Sequence, residues 1–253
     1  MISINQQKLI RSLQQKKQRE KQALFLLEGD KIITDLLSTR EMNDENTVLI
    51  CATAEWLKNR SAIGSPLLKS ITEAGREELK KLSAFQTPPE VMAVVKIPKA
   101  IFAPEILKSD LTLVFDQVRD PGNLGTIIRT ADWFGIRNIV CSHGSVDQYN
   151  NKVVQASMGS VIRVQVHYSD LTELFNHAAR LKIPVYGTVM DGDDLFDTPV
   201  KKPGIIVFGN ESTGIDPLYE TFFKAKIRIP DFPAGKSATE SLNIASSVAV
   251  ICS

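Results

Sequence analysis

Three stretches of the 253-residue chain place polar side chains where an apolar run ends. In the first, residues 111–115 empty into Asp116-Gln117-Val118-Arg119-Asp120-Pro121-Gly122-Asn123, and Arg129 follows six residues after Asn123. In the second, residues 205–208 lead into Gly209-Asn210-Glu211-Ser212-Thr213-Gly214, one carboxylate between two glycines. The third is Ile227-Arg228-Ile229-Pro230 and, beyond residues 231–240, Ser241-Leu242-Asn243. A guanidinium fork, a carboxylate, side-chain amides and a hydroxyl can grip and orient a polar substrate through directional hydrogen bonds. A metal site is not expected, because His143, His167 and His177 lack cysteine or carboxylate partners at ligand spacing. Each stretch taken alone is ordinary turn chemistry. The weight rests on their joint occurrence and on the elements that hold them.

Those elements read as alternating strands and helices. Residues 111–115 are a short continuous apolar run, suited to a strand buried in a parallel sheet. A Pro-Gly turn follows, Asn123 is read as the N-cap, and a helix is expected over about residues 124–134. Further strands are expected at 138–141, 164–166, 185–189 and 205–208, with helices at 171–181 and 241–252. In open α/β sheets ligands bind beyond strand ends, where these stretches fall. The front of the chain alternates on a smaller scale. Strands at 23–27, 47–51, 67–71 and 91–97 separate helices at 29–38, through Trp56 and Leu57, and at 73–82. Residues 3–20 are polar apart from a narrow stripe at Leu9 and Leu13, predicting a helix that docks weakly or waits for a ligand. The expected division is a domain at 1–98, a linker at 99–109 and a second domain at 110–253.

Several function classes fall away. No Gly-x-Gly occurs, so the dinucleotide fingerprint is absent. Ala234-Gly235-Lys236-Ser237 imitates a phosphate-binding loop, but Pro230 stands where its first glycine belongs and has no N–H to offer. No Gly-x-Ser-x-Gly elbow supports a serine hydrolase. Asp191-Gly192-Asp193-Asp194 misses the calcium-loop spacing and reads as a surface turn. With 43% apolar and 23% charged residues the chain carries a packed core, and a net charge of +1 excludes a highly basic packaging protein. Charge is uneven, however. Residues 1–31 hold seven Lys and Arg against three Asp and Glu, so the front half is expected to meet a polyanion first. The first residues lack a secretory core, no run reaches the ~18 apolar residues of a membrane span, and Cys51, Cys141 and Cys252 are scattered. A cytoplasmic chain with buried free thiols is expected.

Taken together, the three stretches resemble the signature motifs of the SpoU/TrmH-type branch of the SPOUT RNA methyltransferases. Asn123 and Arg129 match the first motif, Gly209 to Gly214 the second, and Ile229-Pro230 with Ser241-Leu242-Asn243 the third. Phe25-Leu26-Leu27-Glu28-Gly29 running into a helix resembles the small ribosomal-protein-like α/β domain that precedes such catalytic domains, so the likeness spans nearly the whole chain. One departure is the connection at residues 231–240, longer than usual and containing Lys236.

The resemblance implies a parallel-sheet α/β catalytic domain with a deep trefoil knot, and transfer of the S-adenosylmethionine methyl group to a ribose 2′-hydroxyl of structured RNA. It implies no metal, a homodimer formed through the catalytic domain, and no membrane. Ribosomal RNA is favoured over transfer RNA by the front domain. Carried over by motif, Gly209, Ile229 and Leu242 contact the donor, with Thr188, Val189 and Met190 added as a neighbouring loop. Arg129, Asn123, Glu211, Ser241 and Asn243 form the catalytic set. A guanidinium stays charged in proteins, so Arg129 is read as gripping a phosphate and acidifying the hydroxyl rather than accepting its proton. Glu211 then orients Arg129 or Asn123, while Ser241 and Asn243 fix the ribose and the loop. Lys16, Lys17, Arg19 and Lys21 are candidates for RNA-backbone contact, against the alternative of a solvated helix. The rival functions are an inactive RNA-binding, ribosome-associated protein of the same fold, a base methylase, and a donor-binding regulator.

Overall fold

Ser3 and Gln6 close a capping box on the first helix, α1 (Ile4–Ser12): Ser3 Oγ accepts from Gln6 N at 3.3 Å and Gln6 Oε1 from Ser3 N at 2.8 Å. The chain turns after Leu13 into α2 (Lys16–Gln22). In this computed structural model, which describes residues 1–39, 41–60, 66–99, 102–108, 110–232 and 241–253, the front segment does not dock weakly. Ile2, Ile10 and Leu13 are all buried, Ile2 N donates to Glu78 Oε1 at 3.1 Å, and Gln14 Nε2 donates to Leu82 O at 3.1 Å. The single helix expected over 3–20 is two helices, and Ile2 and Ile10 join Leu13 in the buried cluster.

Contacts divide the chain into two units, one of Met1–Lys99 with Tyr149–Ile162 and one of Ala100–Gln148 with Arg163–Ser253. In the first, β1 (Leu24–Glu28), α3 (Asp30–Ser38), β2 (Thr47–Ala52), α4 (Ala54–Arg60), β3 (Thr72–Glu73), α5 (Arg76–Leu82) and β4 (Val91–Lys96) follow in order. The sheet runs β1-β4-β2-β3, with β4 antiparallel to β1 and β2 and β3 parallel to β2. The strand expected at 67–71 is instead a 3-10 turn, Pro66–Ser70, followed by the two-residue β3. Pro66 fixes its own φ and lacks an N–H for a ladder, which favours the turn.

The second unit holds β5 (Leu111–Phe115), α6 (Pro121–Trp133), β6 (Asn138–Ser142), β7 (Gln165–Ser169), α8 (Leu171–Arg180), β8 (Val185–Asp194), β9 (Gly204–Phe208), β10 (Ala225–Arg228) and α9 (Ile244–Cys252). Every pairing is parallel and the order is β10-β8-β9-β5-β6-β7. All five residues of β5 and of β9 are buried, as the unbroken apolar runs required. Val114, Val140, Phe175, Ile205 and Val207 pack in one core cluster. From β5 the chain steps one way to β6 and β7, then crosses to β8 and β9 on the other side. The strand order therefore reverses between β5 and β9, the place where parallel sheets open a ligand crevice. β10 was not foreseen: its four residues are too few to show a period.

Between β6 and β7, residues 149–162 belong by contact to the first unit. There α7 (Asn151–Ser157) packs on β1, and the rings of Tyr149 and Phe25 lie 4.5 Å apart. Cys51 and Cys141 are buried, Cys252 half-buried, and all three are free thiols; burial pushes the first two up to about 12. Among the described residues no helix is long and apolar enough to cross a membrane. Residues 233–240 of the long connection, with Lys236, and residues 100, 101 and 109 of the expected linker lie outside the described residues.

Candidate active site

The carboxyl ends of β5, β6 and β9 are fastened together by Gln117. Its N–H donates to Ser142 Oγ at the end of β6 at 2.8 Å, and its carbonyl accepts from Asn210 Nδ2 beyond β9 at 2.8 Å. Holding both bonds puts Gln117 at φ +54°, a left-handed conformation a non-glycine residue rarely takes. One residue earlier, buried Asp116 accepts from Asp216 N at 3.1 Å, anchoring the far side of the second loop.

The first motif then enters α6. Asp120, not Asn123, is the N-cap: its Oδ1 accepts from Asn123 N at 2.7 Å, with Pro121 at the first helical position. Asn123 thus sits inside the first turn with its side-chain amide free for tertiary bonding. The second motif folds into a tight loop in which Asn210 and Gly214 exchange backbone hydrogen bonds, both 2.9 Å. Asn210 Oδ1 accepts from Ser212 N at 2.9 Å and Ser212 Oγ at 2.7 Å, which closes the turn beneath Glu211. A Cβ on Gly209 would lie 2.2 Å from the Gly214 carbonyl carbon, so only glycine permits this closure.

The third motif completes a chain of amides. Asn243 caps α9, its Oδ1 accepting from Ala245 N at 3.0 Å and Ser246 N at 3.4 Å. Its Nδ2 donates to Asn123 Oδ1 at 3.0 Å, and Asn123 Nδ2 donates in turn to Glu211 Oε1. The direction is dictated from one end. Backbone N–H groups need the oxygen of Asn243, so its nitrogen must face Asn123, whose nitrogen then faces the carboxylate. Three motifs separated by up to 120 residues thereby share one hydrogen-bonded line. Arg129 stands exposed on α6, with no hydrogen-bond or ion-pair partner among the described residues. Ser241 is exposed two residues before Asn243.

The residues read as donor contacts lie around the same strand ends. β8 pairs with β10 through Gly187, and the register resumes only at Asp193, leaving residues 188–192 outside that ladder. Two glycines frame the excursion: a Cβ on Gly187 would lie 2.1 Å from the Phe223 ring, and one on Gly192 would lie 2.7 Å from the Ile227 carbonyl carbon. Thr188 Oγ1 donates to Val207 O at 2.9 Å, Val189 packs against the core, and Met190 is 70% exposed. The backbone groups of Gly209, Ile229 and Leu242 have no hydrogen-bond partner among the described residues, and the Leu242 side chain is half exposed.

In the first unit the basic candidates separate. Arg19 is 3% exposed, and its Nη1 donates to Leu13 O at 2.8 Å and Gln14 O at 3.0 Å. It caps the carboxyl end of α1 from within and does not belong to a basic surface. Lys16 is exposed and lies 3.7 Å from Glu20, while Lys17 and Lys21 are exposed on α2.

Residues 110–253 match the SpoU rRNA methylase family, and residues 5–93 match the MRM3-like substrate binding domain. The chain belongs to the SpoU rRNA methylase family. It is 27% identical over 244 residues to the Bacillus subtilis 23S rRNA (guanosine(2553)-2′-O)-methyltransferase RlmP, covering 95% of this chain and 92% of that protein. It is 32% identical over 174 residues to the Streptomyces viridochromogenes 23S rRNA (uridine(2479)-2′-O)-methyltransferase, covering 66% of this chain and 59% of that one. Among solved structures, a TrmH-family protein from Porphyromonas gingivalis superposes with a TM-score of 0.85 at 36% identity, over 100% of this chain and 97% of that one.

Within this SpoU domain, sequence reasoning passed over Asp120, Gln117 and Asn210 as individual residues. Asp120-Pro121 is an ordinary N-cap signal that was legible, with the capping role assigned three residues too late. Gln117 and Asn210 gave no signal, because their partners are other strand ends rather than sequence neighbours.

Proposed function

We propose that this protein transfers the methyl group of S-adenosylmethionine to a ribose 2′-hydroxyl of ribosomal RNA, acting in the cytoplasm as a homodimer. The observation that carries the reading is the Asn243–Asn123–Glu211 line, which gathers three motifs at the point where the strand order reverses. Two relatives named as 23S rRNA 2′-O-methyltransferases support ribosomal RNA as the substrate.

The residues present fit the donor. A nucleoside held by main-chain groups needs unpaired amides and carbonyls beside apolar walls, and Gly209, Ile229 and Leu242 offer them. Residues 188–192, freed from the β8–β10 ladder, supply a further edge through Thr188, Val189 and Met190. Bound S-adenosylmethionine supplies an electrophilic methyl on a sulfonium, whose charge vanishes as the methyl leaves; this chemistry asks for no metal.

The protein's own part is to hold and acidify a hydroxyl. Arg129 grips a phosphate next to the target ribose, and its fixed positive charge stabilises the alkoxide that develops on the oxygen. The guanidinium cannot take the proton, which passes to a phosphate oxygen or water. Glu211, paired with Asn123 and not with Arg129, orients the ribose from the opposite loop. Ser241 lies beside the cap of α9 and fixes the sugar. Holding oxygen and methyl in line at near-contact distance supplies much of the rate.

The reading includes a trefoil knot in residues 110–253 and pairing of two copies through α9. Half-buried Ala249, Val250 and Ile251 on α9 support that pairing. The deciding experiment incubates the purified protein with radiolabelled S-adenosylmethionine and in vitro transcribed ribosomal RNA, then identifies the modified nucleoside by mass spectrometry. A 2′-O-methylated nucleoside is expected. Label on a base, or none on ribosomal RNA, overturns the reading, and sedimentation as a monomer overturns the dimer.

A further inference from the structure

We infer that Arg119 is a second phosphate anchor, held at the mouth of the site by the neutral amide of Gln117 so that its charge stays available to RNA. The inference rests on the RNA-methylating reading above. Arg119 is exposed in the loop before α6, and its Nη2 donates to Gln117 Oε1 at 2.6 Å. Among the described residues it has no carboxylate partner.

Two other arginines of this protein, Arg60 and Arg163, end on carboxylates, and buried Arg19 ends on main-chain carbonyls. Arg60 lies 2.6 Å from Asp30, and Arg163 lies 2.8 Å from Asp132. Arg119 ends on an amide, which fixes direction without cancelling charge and leaves further guanidinium donors open for a planar anion. Neighbouring Asp120 does not compete, since its Oδ1 is turned onto the Asn123 N–H.

The holder is itself fixed. Gln117 is pinned at both backbone groups by Ser142 and Asn210, and its side chain lies over Gly144, where a Cβ would come within 3.2 Å of Gln117 Cγ. A left-handed backbone at a non-glycine residue carries a conformational cost and persists only where the surroundings over-determine it. That cost, three tethers and an opposing glycine converge on one result: an exposed guanidinium held still, four residues before Asn123 and ten before Arg129. Phosphodiester is the anion that a still, unneutralised fork beside a ribose site would meet.

The test measures affinity for in vitro transcribed 23S rRNA across a salt series, with S-adenosylmethionine affinity and steady-state methylation alongside. Arg119→Ala is expected to weaken RNA binding about 5- to 10-fold at low salt and to lower the salt slope by about one contact. Gln117→Glu keeps the arginine and the tether but lays a carboxylate against it, and is expected to reproduce that loss. For both variants KM for RNA rises, kcat at saturating RNA stays within about 2-fold, and donor affinity is unchanged. Arg119→Lys is expected to recover the salt slope.

Wild-type slopes in Arg119→Ala or Gln117→Glu overturn the anchor. So does a loss of donor affinity at unchanged slope, which would turn Arg119 towards the donor. Because the slopes are read without turnover, a wild-type protein that binds through Arg119 but methylates nothing sinks the activity reading alone. A protein that methylates with an unaltered KM in Arg119→Ala sinks the anchor alone.

Discussion

Asn243 uses its two ends for different purposes: Oδ1 caps α9, while Nδ2 reaches Asn123 Oδ1 at 3.0 Å. One side chain therefore both starts the last helix and sets the donor–acceptor direction of the line that ends on Glu211. Helix geometry and site geometry are coupled through one rotamer, and a substitution can be chosen to break one without the other.

Asn243→Asp separates them. Aspartate is as good an N-cap as asparagine, so stability should stay within about 0.5 kcal/mol of the parent. The carboxylate has no N–H to offer, and it faces Asn123 Oδ1 with an acceptor. Methyl transfer should fall at least about 10-fold, with wild-type melting. Asn243→Ala should lose activity and also about 1 kcal/mol of stability through the missing cap. Thermal melts read beside single-turnover methylation distinguish the two.

Arg129→Lys keeps the charge and removes the planar fork. If Arg129 holds a phosphate through paired donors, the lysine protein should methylate at least about 100-fold more slowly, with S-adenosylmethionine affinity unchanged. Turnover equal to the parent would show that a point charge suffices.

The sequence was most legible where burial is uniform. Residues 111–115 and 205–208 are unbroken apolar runs, and they became β5 and β9, with β9 gaining only Gly204. Legibility failed where long-range partners decide the outcome. Asn123 and Asp120 both suit an N-cap locally; the tie was settled by Glu211 and Asn243, which draw the Asn123 amide away from the helix end. The jump in β8 register at residues 188–192 left no periodic trace, since glycines at 187 and 192 matter only against Phe223 and Ile227. Arg19 looked like one basic residue among several, because nothing in a Gln/Lys-rich stretch says which side chain turns inward.

Arg19 yields a contrast within one helix. Its guanidinium is buried on the carbonyls of Leu13 and Gln14, so Arg19→Ala leaves two acceptors without their charged donor. A loss of about 3 kcal/mol is expected by chemical denaturation. Lys17→Ala and Lys21→Ala, on exposed positions, should stay within about 0.5 kcal/mol. If α2 meets RNA, those two substitutions shift the salt slope of binding. An Arg19→Ala protein as stable as the parent would contradict the capping role.

Glu28 offers a test by pH. It is 6% exposed, Ser83 Oγ donates to its Oε2 at 2.5 Å, and its Oε1 has no hydrogen-bond partner. The same narrow crevice, walled by Leu26, Phe85 and Val154, also holds the unpartnered Oδ1 of Asn151. Burial pushes the Glu28 carboxyl above its ordinary 4.5, against the lowering by Ser83 and the Ala84 backbone. A raised value in the folded state means that the native protein binds this proton more tightly than the unfolded chain. The stabilising contribution is thus complete below pH 4.5 and is lost as pH rises through the folded value. Glu28→Gln is neutral throughout, keeps an oxygen for Ser83, and turns an N–H towards the crevice that Asn151 Oδ1 shares. The variant should melt higher than the parent at pH 7.5, by on the order of 1 kcal/mol, the cost of one unsatisfied buried acceptor. The gap should close as the pH falls towards 4, where the parent carboxyl is protonated in both states. Calorimetric melts of both proteins between pH 4 and 8 read this directly. A gap that is constant across that range would assign the gain to packing and not to the Glu28 proton.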